Sequence, residues 1–200
     1  MRGFRQAAVA CCVLAGVCAV VWGQQLLVRS ADDELHVAAP HLHFLTGKPL
    51  ERIHNGNAVP YDFQLSILAD AKANVLRRAF ERFVFSYDLW EEKFSVMRMR
   101  SGRAQASNLT AEAAEAWCID KMELSLSGLP SDQPLWLRLE VRAQDPHDRP
   151  INQDEGMSLK ALIELFSHAS TGRQPQYWHA EAGPFKLAEL RRLTTMRGAD

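Results

Sequence analysis

Val59-Pro60-Tyr61-Asp62-Phe63-Gln64-Leu65-Ser66-Ile67-Leu68-Ala69-Asp70 is the stretch whose pattern decides the fold. Val59, Tyr61, Phe63, Leu65, Ile67 and Ala69 fall on one face of an extended chain. Asp62, Gln64, Ser66 and Asp70 fall on the other, with Leu68 the lone apolar exception. Side chains alternate sides along a strand, so this is one apolar face and one mostly wet face, the signature of an antiparallel sheet. The turn signal His54-Asn55-Gly56-Asn57 stands just before it, with Asn-Gly at its centre.

The same period continues outward in both directions. Upstream, Leu35, Val37 and Ala39 begin a strand that Pro40 interrupts, and Leu42 and Phe44 resume its apolar side. Downstream, Leu76–Tyr87 fits a helix through Leu76, Phe80 and Phe83, or a strand through Phe83, Phe85 and Tyr87. Its β-branched and aromatic content favours a strand from about Arg82. Phe94 and Val96, then Met97 and Met99, make another, and the change of parity between the pairs predicts a bulge. Met122, Leu124 and Leu126 alternate with Glu123, Ser125 and Ser127, and Leu135–Ala143 alternates with Arg138, Glu140 and Arg142. A last strand, Trp178 to Leu187, is broken at Gly183-Pro184.

Helical signals are few. Thr110 is placed as an N-cap, with Glu112 near the positive end of the helix dipole and Leu109, Ala113, Ala116 and Trp117 at helical spacing. Ser158 caps a second short helix whose Leu159, Leu162, Ile163 and Phe166 share one stripe. The strands do not alternate with crossover helices, which argues against a parallel sheet. The expectation is a mainly β protein, an antiparallel β-sandwich of about seven strands with two short helices in its connections.

The chain has 200 residues. Met1–Gly23 reads as a signal peptide, with Arg2 and Arg5 as the positive region and Ala7–Val21 as the uncharged apolar run. An uncleaved anchor reaching through Leu26-Leu27-Val28 is the competing reading, so residues 7–28 would tether the protein to a membrane. Residues 24–34 are then a linker, 35–190 a single domain and 191–200 a loose tail. The expected location is periplasmic or extracellular. Cleavage removes two arginines and no acids, and so leaves 21 basic against 24 acidic residues, a charge of −3. A nucleic-acid partner is excluded on that balance, since it calls for a basic face. Cys11, Cys12 and Cys18 leave with the leader. The lone Cys118 cannot form an internal disulfide and is expected to be a buried, inert thiol, so the core alone must hold the fold.

Candidate chemistry is sparse. His41 and His43, two apart, point to one face and form a weak metal pair. The loop Asp145-Pro146-His147-Asp148, continuing to Asn152-Gln153-Asp154-Glu155-Gly156, is rich in calcium-type oxygen ligands: Asp145, Asp148, Asn152 and Asp154. It lacks the acid that closes a full calcium loop. Ser158 and Lys160 are a serine–lysine pair at a spacing common by chance, and Ser158 already serves as a cap. Asn108-Leu109-Thr110 matches a glycosylation sequon, although the cap explains Thr110 without it. No Gly-x-Ser-x-Gly, phosphate-binding glycine loop, His-Glu-x-x-His or Cys-x-x-Cys is present. The aromatic run Phe80, Phe83, Phe85, Tyr87, Trp90 and Phe94 reads chiefly as core, with Tyr87-Asp88-Leu89-Trp90 at a hairpin corner. Tyr87 and Trp90 are the candidates for docking a partner.

The order of these pieces resembles a known family. Gly56 precedes the strand Val59–Ile67. The charged stretch Arg77–Arg82 leads into Phe85-Ser86-Tyr87-Asp88-Leu89-Trp90, and Lys93–Met99, Ala111–Trp117 and Leu135–Arg142 follow. This is similar to small exported bacterial domains of unknown function, sometimes encoded beside nitrogen-type sensor kinases, over Leu42 to Ala143. Where that family carries an aromatic and arginine-rich link, this chain has Asp70-Ala71-Lys72-Ala73-Asn74. The resemblance implies an envelope domain and assigns no activity, cofactor or functional residue.

The expected function is that of an exported, non-enzymatic binding or accessory domain without a cofactor, its partner an envelope protein or a small ligand. The alternative is a hydrolase or metal-dependent enzyme with a dispersed site, for which His41, His43, Asp145, His147 and Asp148 are the first residues to test.

Overall fold

The computed structural model describes residues 26–31, 33–144 and 176–190. Nine strands make up two antiparallel sheets among them. In chain order the elements are β1 (Leu27–Ala31), β2 (Glu34–Ala38), α1 (Gly47–His54), β3 (Val59–Ala69), a 3-10 turn (Asp70–Lys72), β4 (Asn74–Asp88), β5 (Lys93–Arg98), β6 (Ala104–Leu109), α2 (Ala111–Asp120), β7 (Glu123–Ser125), β8 (Leu135–Ala143) and β9 (Tyr177–Phe185). The larger sheet runs β6-β5-β4-β3-β8-β9 and the smaller β1-β2-β7. The fold is the antiparallel sandwich that the alternation predicts, with two more strands than expected.

β3 lies at the centre because its apolar face is the longest. Tyr61 pairs with Phe83 on one side and Ala143 on the other, and Leu65 with Ala79 and Leu139. Val59, Tyr61, Phe63, Leu65 and Ile67 are fully buried on the inner face, beside Phe83 and Phe85 of β4 and Leu137, Leu139 and Val141 of β8. Each such side chain stabilises the fold by about 1.5–3 kcal/mol relative to exposure. Phe44 is the hub of the opposing layer, its ring 5.2–5.9 Å from those of Phe63, Tyr61 and Phe85. Ile53 of α1, Ile119 of α2, Leu35 and Val37 of β2 and Leu124 of β7 complete it.

Several expectations change. The polar face of β3 is not wet: Asp62, Gln64 and Ser66 are 3, 6 and 2% exposed. Neighbouring strands supply partners that replace water, Arg82 for Asp62 and Glu140 for Gln64, and buried polar groups need such partners. The ambiguous stretch is one long strand from Asn74, because pairing with β3 overrides its weak helical spacing. Leu42 and Phe44 keep their buried alternation but stand outside any ladder, since Pro40 ends β2. α1 was not foreseen. Thr46 precedes it, Pro49 is tolerated in its first turn, and Ile53 is its fully buried anchor. β1 lies within the stretch read as a linker, and the polar edge strand β6 has too little apolar alternation to be seen in sequence.

The bulge expected from a change of parity between Val96 and Met97 does not occur: β5 alternates regularly, with Phe94, Val96 and Arg98 buried and Met97 and Met99 facing outward, and the register shift against β6 falls between Phe94 and Val96. Thr110 caps α2 as expected, its hydroxyl accepting from Ala113 N–H at 3.2 Å. The buried residues of α2, however, are Ala114, Glu115, Cys118 and Ile119, not Ala113 and Ala116. Trp117 is half-buried against Phe83. β9 runs through Gly183-Pro184 without ending there. A Cβ on Gly183, at φ +123°, would lie 2.7 Å from the Leu135 carbonyl oxygen, so only glycine fits where the register shifts opposite Leu135 and Leu137. The helix expected from Ser158, most of the polar loop and the C-terminal tail lie outside the described residues. No described helix is long and apolar enough to cross a membrane.

Candidate functional site

Two features of the described residues carry more chemistry than packing requires. The first is the β4–β5 hairpin. Asp88 Oδ1 accepts from Trp90 N–H at 2.8 Å and Glu91 N–H at 3.1 Å, an aspartate-stabilised turn. Glu92 closes it in the left-handed region, at φ 52°. Below the turn, the Tyr87 ring packs edge-on against Phe94 at 4.9 Å and His54 at 4.5 Å. Above it, Leu89 is 62% and Trp90 95% exposed. Of the two candidate docking residues, Trp90 is therefore the presented one, and Tyr87 is half-buried in the footing that holds the turn. Asp88, Glu91 and Glu92 surround the tip against Lys93.

The second feature is a cavity of about 340 Å3 between the β1–β2 hairpin and α2. Its walls are Leu27, Val37, Ala39, Leu42 and Ile119. Glu115 on α2 stands at its edge with a nearly buried side chain, 6% exposed. One carboxylate oxygen accepts from the Phe44 and Leu45 backbone N–H groups at 2.6 and 2.7 Å, and the other meets His43 Nδ1 at 2.9 Å. Glu115 thereby ties the extended Leu42–Leu45 segment to α2 and sets Phe44 in the core. His43 keeps most of its ring in solvent, 56% exposed. At the mouth, Glu112 lies in the first turn of α2. The backbone N–H there and Thr110 hold its carboxyl below the usual carboxylate range.

The outer face of the larger sheet carries several paired charges, beside a buried Arg78 Nε that has no hydrogen-bond partner among the described residues. Arg82 donates to both oxygens of Asp62, at 2.6 and 3.0 Å, and the Gln144 amide donates to Asp62 at 2.9 Å. Glu140 accepts from Gln64 at 2.7 Å and from the Tyr177 hydroxyl at 2.5 Å. Partial burial pushes the Glu181 carboxyl up, but Lys72 and Arg138 outweigh it and hold Glu181 below its ordinary value. On the inner face, Glu81 is pushed up by burial and pulled lower overall by Arg98, Ser101 and the backbone N–H groups of Arg82 and Ser101. These pairs leave little of their charge available for a ligand.

His41 and His43 do not form a strand pair. Both are exposed, flanking buried Leu42, and His43 is committed to Glu115. Among the described residues no group of three or more His, Cys, Asp or Glu side chains converges as a metal would require. Asp145, His147, Asp148, Asn152, Asp154, Ser158 and Lys160 lie outside the described residues. Cys118 is fully buried, and burial pushes its thiol well up, as an inert cysteine requires.

Sequence reasoning missed Glu115 and Leu89. Glu115 was visible only as a carboxylate amid the apolar positions Ala114, Cys118 and Ile119, and Leu89 as the neighbour of Trp90. Comparison with protein-family models, curated proteins and solved structures finds no match for this chain.

Proposed function

We propose that this is an exported, non-enzymatic binding domain of the cell envelope that docks on a partner protein through the tip of the β4–β5 hairpin. The observation that carries this reading is Trp90, 95% exposed beside Leu89 on a turn locked by Asp88. Tryptophan is among the residues that dominate binding energy at interfaces, and a pre-ordered turn loses little entropy on docking. The partner it suits has an apolar pocket rimmed by lysine or arginine, since Asp88, Glu91 and Glu92 surround the tip and would repel an anionic membrane surface. Export rests on the tripartite pattern of residues 1–23.

The test is crosslinking in intact cells with the tagged protein at native level, comparing wild type with Trp90→Ala and Leu89→Ser. One dominant envelope protein, captured by wild type and lost with both variants, is the expected result. Equal capture by Trp90→Ala, or none by wild type, overturns the reading. A tip substitution leaves the core untouched, so unchanged urea unfolding in both variants separates lost docking from lost folding.

A further inference from the structure

We infer that the cavity between the β1–β2 hairpin and α2 is a binding site for a small amphiphilic amine. The cavity is separate from the hairpin tip, and its shape and charge together point to such a ligand. A volume of about 340 Å3 falls at the lower end of small-molecule sites. It corresponds to about eleven water-sized volumes, room for a body of roughly ten non-hydrogen atoms. Apolar side chains of the layer opposing the larger sheet, Val37 and Leu42 on one side and Ile119 of α2 on the other, make walls suited to hydrocarbon.

The polar groups that line that space are unequal in sign. Three carboxylates, Glu112, Glu115 and Asp120, line it against one guanidinium, Arg29. Arg29 lies 3.8 Å from Asp120, and Glu115 is taken up by His43 and two backbone N–H groups. Glu112, held at the start of α2 by Thr110 and its own backbone N–H, is exposed and makes no ion pair among the described residues, so its carboxylate faces a cationic head. An ammonium group offers donors and a positive charge to Glu112. A fatty acid of the same length would place its carboxylate against like charge.

The probes are n-octylammonium, octanoate and n-octanol, titrated into the full chain and followed by methyl NMR. Octylammonium is expected to shift the Val37, Leu42 and Ile119 methyl signals saturably, and to bind more tightly than octanol, with octanoate weakest. Glu112→Gln, at an exposed position, is expected to weaken octylammonium binding by about two- to fivefold, the size of one exposed ion pair, and to leave octanol unchanged. Ala116→Trp, from the α2 wall, is expected to fill the space and abolish the shifts. Octanoate or octanol binding as well as octylammonium, shifts that survive Ala116→Trp, or no saturable shift with the amine would each overturn the inference.

Discussion

Glu115→Ala should destabilise this protein more than any other single loss of a charge at the cavity. The carboxylate accepts two backbone N–H bonds at 2.6 and 2.7 Å from Phe44 and Leu45, both buried. A hydrogen bond to a charged group contributes about 1.5–3 kcal/mol, so the pair is worth roughly 3–6 kcal/mol. Deleting the side chain also removes the desolvation cost of a nearly buried carboxylate, and water entering the vacated volume recovers part of the lost bonding. The expected net loss is about 3 kcal/mol. His43→Ala removes only the exposed partner of the same carboxylate and should cost about 0–1 kcal/mol. Both are measured by urea unfolding at pH 7, with the slope of the transition unchanged. In a melting experiment the Glu115 variant should fall by roughly 6–12 °C, on about 2–4 °C per kcal/mol for a chain of this size. A Glu115→Ala protein within 1 kcal/mol of wild type, or a His43→Ala protein as unstable as Glu115→Ala, would refute the idea that backbone capping by Glu115 holds the Leu42–Leu45 segment.

Tyr61→Phe should stabilise the fold by about 1 kcal/mol, seen as a higher urea midpoint, because the Tyr61 hydroxyl is buried without a hydrogen-bond partner among the described residues. A lower midpoint would show that the hydroxyl has a partner in solution. Gly183→Ala should cost about 2 kcal/mol or more, since the methyl group meets the Leu135 carbonyl at 2.7 Å and the backbone sits at positive φ; an unchanged melting temperature would show that β9 shifts freely. Glu81 and Glu181 have folded pKa values below the ordinary 4.5, so the stability they confer is fully present above that pH and is lost as the pH falls through their folded values. Glu81→Gln should flatten the fall in urea stability below pH 4.5, and an unaltered acid limb would remove Glu81 from that account.

The extent to which the sequence foretold the structure differs by element, for physical reasons. β8 was plain, because Leu135, Leu137, Leu139 and Val141 recur every second residue. α2 began where Thr110 placed it, because a cap is a contact between a side chain and its own next turn. The hairpin corner at Asp88 was visible for the same reason of locality. β6 was not, because Ala104–Leu109 is an edge strand with little apolar face and is held by backbone pairing to β5. α1 was hidden by its eight-residue length and its Gly47 and Pro49, and packing on Ile53 supplies what propensity does not.

By itself, then, the sequence determined what short-range chemistry can encode: the period-two strands, the identity of the inner face of β3, the cap of α2 and the hairpin corner at Asp88. The aromatic run read as core did not foretell that Trp90 is 95% exposed. Only the tertiary structure decided which groups meet across long separations. Glu115 reaches Phe44 over 71 residues and Gln144 reaches Asp62 over 82, and no local pattern specifies either pair. The polar face of β3 turned from wet to buried for the same reason. A side chain's periodicity tells which way it points, but what it points at depends on which distant strand closes beside it.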